Sequence, residues 1–343
     1  MSSFHRLFPF TGLLFLVMIS ACGNGPSISP ESPVQSNPAY ASLNDSIDLF
    51  PKDATLYLRL AIRLSQANAH ELAYGDFKKA WSLRPSVEIA LPFAANLQIL
   101  GKSSERLALL KLCNAKFPAN ERLQRLLADA FSGTGNRDLA LKQYQEILKK
   151  DPGDFETWYE QALLLEQIND TAGAINSLRK AYELQGVATY GLELAHLYAE
   201  QKNAKSLDIC NFILKQDSGS QLIDPLFIKG IYYANMKQYP QAIAQFDSCI
   251  SRDWKTTDAY IEKGIAYYHQ QNYNAAINTF NMAVTVSNTD PDAYYWLGRC
   301  YEATHQKADA IINYQKTLSL NTSFTDAKEA IQRLQSGFGD ASH

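Results

Sequence analysis

Residues 291–324 read PDAYYWLGRCYEATHQKADAIINYQKTLSLNTSF, and residues 257–290 read TDAYIEKGIAYYHQQNYNAAINTFNMAVTVSNTD. Each segment has a glycine in its first half and an alanine in its second half at the same offsets. Large residues follow at +3 from the glycine and at +4 from the alanine. Residues three or four apart lie on one face of a helix. Each segment is therefore predicted to form two amphipathic helices joined by a tight turn.

The same pattern extends along most of the chain with a period of about 34 residues. Prolines 51, 85, 118 and 152 are separated by 34, 33 and 34 residues. The small position of the first helix recurs at a nearly constant interval, as Ala61, Ala94, Ala128, Ala162, Ala195, Gly230, Gly264 and Gly298. Small residues allow two helices to approach closely, while the large residues beside them fill the flanking space.

This pattern resembles the tetratricopeptide repeat (TPR) family, whose motif has an aromatic residue, Leu-Gly, Tyr, Ala, Phe, Ala and Pro at fixed offsets. The residues that fit it in the last repeat are Tyr294, Leu297, Gly298, Tyr301, Ala310 and Tyr314. The resemblance implies an all-α fold, a right-handed TPR α-solenoid of about eight helix-turn-helix repeats plus a capping helix. The expected repeats are 54–86, 87–120, 121–154, 155–187, 188–222, 223–256, 257–290 and 291–324.

Two repeats depart from the pattern within the predicted solenoid, residues 38–336. In the second, Pro92 should kink or delay the first helix, and Arg106 replaces the expected alanine. In the fifth, Ser206 and Cys210 match only after a one-residue slip, and the composition of residues 203–222 favours a hinge there. Residues 337–343 are expected to form a disordered tail.

The N-terminus is typical of a secretion signal, predicted over residues 1–21. The apolar run from Leu7 to Ile19 is too short for a membrane-spanning helix of about 20 residues and follows the basic residue Arg6. The run ends in Ser-Ala-Cys22, which resembles the bacterial lipobox; the alternative is an ordinary signal peptide with a chance cysteine. The resemblance implies that Cys22 is the lipid anchor, with residues 22–37 as a flexible tether rich in Gly, Ser and Pro. The next residue is Gly23 and not the aspartate that signals inner-membrane retention in enterobacterial lipoproteins. The resemblance therefore also implies the outer membrane, with the protein facing the periplasm.

The composition excludes several functional classes. A hydrophobic fraction of 46% is enough for a core. The chain has 32 Lys and Arg against 35 Asp and Glu, so it lacks the basic excess of nucleic-acid-binding proteins. Cys113, Cys210, Cys249 and Cys300 have no metal-like spacing, so buried thiols are expected, with a Cys210–Cys249 disulfide as the alternative. No zinc motif or nucleophile motif occurs, so we expect no metal, no cofactor and no catalytic residue.

Two glycine-containing segments resemble fragments of phosphate-binding loops. Gly101-Lys102-Ser103 has Asn96 where the motif needs a glycine, and no strand precedes it. Gly133-Thr134-Gly135 has Asp138 at the third glycine position. Both segments fall between the two helices of a repeat, so we interpret them as turns.

In the TPR family, first helices line a concave groove, and side chains at fixed repeat positions point into it. The resemblance implies the same arrangement here. A partner-binding groove is therefore predicted from Tyr159, Phe227, Ile231, Ile261, Ile265, Tyr268, Tyr295 and Arg299. An apolar patch with a polar rim is typical of a protein or peptide site. The alternative is that these residues only pack between adjacent first helices. The Lys and Asn with which chaperone-binding TPR domains clamp a terminal carboxylate are missing from the matching positions, which excludes that ligand class.

The resemblance implies a non-catalytic interaction scaffold, anchored in the bacterial cell envelope through Cys22, that binds envelope proteins or peptide segments in its groove. Envelope TPR lipoproteins of this kind assist pilus-secretin assembly, outer-membrane protein insertion or recruitment of peptidoglycan hydrolases. The alternative function is binding of glycan or peptidoglycan, with groove tyrosines stacking on sugar rings.

Overall fold

The computed structural model of the protein describes residues 38–336, and the regular structure in this range consists of helices alone. The predicted signal segment, Cys22, the tether and the C-terminal tail lie outside the described residues. The helices are α1 (Pro38–Leu49), α2 (Ala54–Gln66), α3 (His70–Leu83), α4 (Val87–Ile99), α5 (Ser103–Lys116), α6 (Glu121–Gly133), α7 (Arg137–Lys150), α8 (Phe155–Gln167), α9 (Thr171–Leu184), α10 (Ala188–Glu200), α11 (Lys205–Gln216), α12 (Asp224–Asn235), α13 (Tyr239–Arg252), α14 (Thr257–His269), α15 (Tyr273–Val286), α16 (Pro291–Ala303), α17 (Lys307–Leu320) and α18 (Thr325–Ser336).

The helices form two compact units, one ending at Lys102 with α1–α4 and one starting at Ser103 with α5–α18. Even-numbered helices from α2 to α16 are the predicted first helices, and each begins within one residue of a predicted repeat start. Odd-numbered helices from α3 to α17 are the second helices, and α18 follows as the capping helix. The predicted all-α fold of helix-turn-helix repeats is thereby confirmed.

The core of the second unit is built from the small and large positions that the period identified. Gly264 of α14 is buried, and a Cβ added to it would lie 2.5 Å from a ring carbon of Phe280 in α15. Phe280 has no exposed surface, and Ala276 one turn before it has none either. Gly230 and Gly298 face the rings of Phe246 and Tyr314 in the same way. The glycines are therefore required by ring packing across each helix pair.

The turn between the two helices of a repeat has one backbone conformation in all eight repeats of residues 54–324. One residue per turn has a positive φ, between 58° and 81°, and lies seven positions after the small residue of the first helix: Asn68, Gly101, Gly135, Asn169, Lys202, Lys237, Gln271 and His305. The next residue donates its N–H to the carbonyl of the large first-helix residue, as Gln306 does to Tyr301 at 2.8 Å. This is the Schellman end of a helix. Gly101 and Gly135 are therefore turn residues, as the sequence indicated.

The departures from the pattern are accommodated locally. Helix α4 begins at Val87 and contains Pro92, so the proline does not delay the helix. Arg106 occupies the small position of α5 and is only 5% exposed, because its Nη2 donates to Asp129 Oδ2 at 2.7 Å. Ser206 and Cys210 are fully buried in α11, which confirms the one-residue slip of the fifth repeat.

Residues 203–222 contain α11 and the turn after it. Cys210 packs with Ala195 of α10 and Ile228 of α12 in one core cluster, so apolar packing continues through the segment. The Asp217 carboxylate accepts the N–H groups of Gln221 and Leu222 at 3.2 and 2.9 Å, which closes the turn. A hinge at 203–222 stays a prediction.

Replacing Gly264 by Ala tests the ring packing. An alanine in a helix interior normally stabilises by about 1 kcal/mol relative to glycine. Here the added methyl would overlap the buried Phe280 ring, and overpacking of this kind costs about 1–3 kcal/mol. We expect Gly264→Ala to lower the midpoint of urea unfolding.

Gly75→Ala is the matched control, because Gly75 lies inside α3 and an added Cβ meets nothing within 4 Å. This variant should be more stable than the wild type. Stabilisation by both substitutions would contradict the packing at Gly264.

Candidate functional site

The predicted groove residues near the C-terminus lie on three successive first helices, α12, α14 and α16. We call them the C-terminal patch: Phe227, Ile231, Ile261, Ile265, Tyr268, Tyr295 and Arg299. Ile261 and Tyr295 are only 5% and 7% exposed and belong to a core cluster, whereas the other members are half-buried. The half-buried members are the part of the patch that a partner can reach, and contact of Ile261 and Tyr295 with a partner stays a prediction.

Arg299 is held among aromatic rings within this patch. Its guanidinium donates to the Tyr295 and Tyr268 hydroxyls, both at 3.2 Å. The guanidinium carbon also lies 5.5 Å from the centre of the Trp296 ring, a cation–π distance. Burial by itself lowers the pKa of Arg299, but the hydrogen bond from the guanidinium to Tyr295 raises it, and the net shift is upward. The patch therefore combines apolar side chains with one permanent positive charge.

Tyr159, the remaining predicted groove residue, lies apart from the patch on α8. Its ring packs against Tyr190 of α10, with 4.6 Å between ring centres. Both tyrosines line a cavity of about 370 Å³ between α6, α8 and α10, which we call the Tyr159 pocket. Its walls are formed by Arg122, Arg125, Leu126, Glu156, Tyr159, Glu160 and Tyr190.

One arginine of the Tyr159 pocket is already paired. Arg125 Nη1 lies 3.1 and 2.9 Å from the two carboxylate oxygens of Asp154, and its Nη2 donates to Glu156. Asp154 also caps α8, since it accepts the Thr157 N–H at 3.1 Å and the Thr157 hydroxyl at 2.6 Å. Two carboxylates thus neutralise the Arg125 charge and fix the wall of the pocket.

The first helices also carry carboxyl groups whose ionisation is disfavoured. Burial raises the pKa of Glu160 to about 7, with the neighbouring carboxylates of Asp129, Glu156 and Asp154 adding to the shift. Glu160 Oε2 is buried and accepts no hydrogen bond from the described residues. Burial likewise raises the pKa of Glu166 to about 7, and the pKa values of Glu193 and Asp224 are raised for the same reason. Near neutral pH these carboxyl groups therefore carry less negative charge than exposed carboxyl groups do.

Glu160→Gln is expected to change how stability depends on pH. The folded pKa of about 7 lies above the unfolded value of about 4.3. Protonated Glu160 therefore stabilises the fold fully below about pH 4.3, and that contribution is lost as pH rises through 7. We expect the melting temperature of Glu160→Gln to rise relative to that of the wild type as the pH is raised from 5 to 8.5. Glu146→Gln, an exposed substitution on α7, is the control. Parallel curves for wild type and Glu160→Gln would refute the assignment.

Several site residues were not identified from the sequence. Trp296 contacts Tyr268 and Tyr295 at ring distances of 5.3 and 5.8 Å, and Tyr190 completes the pair with Tyr159. Trp296 directly follows the predicted groove residue Tyr295 on its own helix, and that adjacency was the available signal. The predicted groove residues include none on α10, so Tyr190 carried no such signal. Glu160 carried no signal, because its burial depends on packing against α6 and α7.

The described residues contain neither a metal-ligand cluster nor an exposed thiol. Between residues 38 and 336, no group of three or more His, Cys, Asp or Glu side chains is placed to hold a metal ion. All four cysteines in this range are buried free thiols, and burial raises the pKa of Cys210 to about 12. None of the helices from α1 to α18 combines the length and apolar character of a membrane span.

Sequence comparison gives three family matches. Models described as tetratricopeptide repeat match residues 125–188 and 292–321, and a model described as TPR repeat matches residues 264–304. No curated protein matches the chain.

Solved structures with the same fold share 14–17% of their residues with this chain. A tetratricopeptide repeat protein from Parabacteroides merdae is 17% identical with a TM-score of 0.60, covering 72% of this chain and 98% of that one. PilW, a type IV pilus biogenesis factor, is 17% identical with a TM-score of 0.52, covering 63% and 100%. The C-terminal part of a TPR protein from Cytophaga hutchinsonii is 14% identical with a TM-score of 0.50, covering 70% and 98%. At these identities the likeness concerns the fold alone. The repeat period, the shared turn, the helix pairs and the family matches together establish that this chain belongs to the tetratricopeptide repeat family.

Proposed function

We propose that this protein is a non-catalytic scaffold that binds protein partners or their peptide segments through the C-terminal patch. The observation that carries the proposal is the series of half-buried apolar and aromatic side chains at matching positions of α12 and α14, with Arg299 following on α16. TPR domains are generally interaction modules without catalytic activity, and the fold supports that class of function.

The chemistry of the patch suits a peptide segment. Aromatic residues and arginine are enriched among the side chains that dominate binding energy at protein interfaces. Tyr268 presents an apolar ring and a hydroxyl already fixed by Arg299, so it loses little freedom on binding. Ile231 and Ile265 add branched apolar surface on neighbouring first helices. A partner would cover apolar side chains and meet one fixed cation.

We further propose that the scaffold acts at the bacterial cell envelope, anchored by acyl chains on Cys22 in the outer membrane and facing the periplasm. This part rests on the sequence features of residues 1–37. Incorporation of labelled fatty acid should occur in the wild type and disappear in Cys22→Ser. Label that persists in Cys22→Ser would exclude Cys22 as the anchor.

Photo-crosslinking in cells tests the binding surface. A crosslinking amino acid replaces Ile231 or Ile265 in the C-terminal patch, or Asn281, which is exposed on the second helix α15. We expect discrete protein adducts from positions 231 and 265 and none of the same mass from position 281. Identical adducts from all three positions would remove the patch from the proposal.

A binding assay with isolated peptidoglycan distinguishes a glycan ligand. Binding of the purified protein to isolated peptidoglycan that is lost in Tyr268→Ala, without protein adducts at position 265, would favour glycan binding over the scaffold proposed here.

A further inference from the structure

We propose that the Tyr159 pocket receives a lysine or arginine side chain from the partner segment, with Glu160 as its counter-charge and the rings of Tyr159 and Tyr190 as its wall. This inference rests on the proposed function, because it names the chemistry of a partner that the first helices bind. It adds a second contact, on α6, α8 and α10, to the apolar contact at the C-terminal patch.

The dimensions and walls of the pocket fit a long cationic side chain. The cavity, of about 370 Å³, has room for the side chain of one partner residue. The Tyr159 and Tyr190 rings, 4.6 Å apart at their centres, form an aromatic wall beside Glu160. Cations bind favourably over tyrosine faces, and the methylene stem of lysine or arginine packs on apolar surface. One wall of the pocket thus combines two tyrosine rings with a carboxyl group.

The charges around the pocket favour a cation over an anion. Arg125 is saturated by Asp154 and Glu156. Arg122 is exposed at the rim. Glu160, in contrast, has an oxygen that is buried and accepts no hydrogen bond from the described residues. An anionic ligand would meet the carboxylates of Glu156 and Glu160. A cationic ligand would instead give Glu160 a charged partner, which its hydrogen bond with the neutral Tyr144 hydroxyl does not supply.

Binding should depend on pH because Glu160 must be ionised. The charged groups facing it are Arg125 and Asp129 from α6, and Asp154 and Glu156 from its own helix and cap. Two neutral titratable groups also face it, Tyr144 from α7 and Tyr190 from α10. Of these, Arg125 favours ionisation and the three carboxylates oppose it, and burial opposes it most. A bound cation lowers the pKa of Glu160, so complex formation near neutral pH should release a proton.

The probe is a library of random dodecamer peptides displayed on phage and selected at pH 8 on the immobilised full-length chain. Selected sequences are then made as synthetic peptides, and their affinities are measured by calorimetry for wild type, Glu160→Gln and the control Glu146→Gln. We expect the selected peptides to share a lysine or arginine. Changing that residue to Gln should weaken binding to the wild type about tenfold or more, as for a hydrogen bond to a charged group.

Three further results follow from the inference. Glu160→Gln should bind the selected peptides about tenfold more weakly than the wild type does. Changing the basic residue of the peptide to Gln should not weaken binding to Glu160→Gln any further. The affinity of the wild type should fall as the pH is lowered from 8 to 5.5. The melting temperature of Glu160→Gln at pH 8 shows whether the variant is folded in the binding assay, so loss of folding cannot imitate this result. Peptides that bind without a basic residue, or through acidic residues that require Arg122, would overturn the inference and leave the scaffold function intact. If no peptide binds the wild type, the inference and the peptide-binding function both fail.

Discussion

Phe280→Ala is expected to destabilise the second unit by about 3–5 kcal/mol, as phenylalanine truncations in protein cores do. Phe280 has no exposed surface, and its ring contacts Trp296 across the helix pairs at 6.3 Å between ring centres. Truncation leaves a cavity between α14, α15 and α16 that rigid neighbouring helices fill only in part. Urea unfolding monitored by circular dichroism measures the change.

A double-mutant cycle identifies the cause. In the wild type, Gly264→Ala should destabilise, because the new methyl overlaps the Phe280 ring. In the Phe280→Ala background the methyl enters the cavity, so the same change should instead stabilise, by about the 1 kcal/mol of helix propensity. An effect of Gly264→Ala that has the same sign in both backgrounds would contradict the packing described here.

Asp154→Ala is the second substitution with a large expected effect, about 3 kcal/mol of lost stability, as when one partner of a buried ion pair is removed. The Asp154 side chain is 6% exposed and that of Arg125 is 16% exposed. The carboxylate binds Arg125 and caps α8 through Thr157, so a single change removes both contacts. Thermal or urea unfolding at pH 7 measures the loss.

Asp154→Asn separates the two contributions, because the amide oxygen can still cap α8 while the charge is gone. It should lose less than Asp154→Ala at pH 7. Burial would raise the pKa of Asp154, but hydrogen bonds from Thr157 and Arg125 hold it below the usual range. Its stabilising contribution is therefore present above the unfolded pKa of about 3.9 and is lost as pH falls through the lower folded value. The difference between wild type and Asp154→Asn should persist at pH 5 and shrink below pH 4; a difference that already disappears at pH 5 would contradict this.

Most of the fold could be predicted from the sequence because each repeat solves the same packing problem. The small residues and their large neighbours determine which faces meet, and their period gives the repeat starts to within one residue. The turn residues with positive φ were harder to recognise. Only Gly101 and Gly135 are glycines. The other turns have residues such as Lys202 and Gln271, whose positive φ is held by the hydrogen bonds at the helix end.

The site was less predictable. Register placed Phe227, Ile231 and Tyr268 on neighbouring first helices, but it did not distinguish them from Ile261 and Tyr295, which are buried. The charge of the Tyr159 pocket depends on the ion pair between Arg125 and Asp154 and on the burial of Glu160. Those contacts join residues about 30 positions apart, such as Arg125 and Asp154, and no short motif encodes them.

The most direct test of the scaffold function is the affinity of a crosslinked partner for two matched variants. Ile265→Ser changes a half-buried residue of the C-terminal patch, and Asn281→Ser changes an exposed residue of the second helix α15. Calorimetry is done well below the melting temperature of each variant, so that both are folded. We expect Ile265→Ser to weaken binding about tenfold or more, as for a central interface residue, and Asn281→Ser to bind like the wild type. Equal affinity of both variants, or a loss confined to Asn281→Ser, would contradict binding through the first helices.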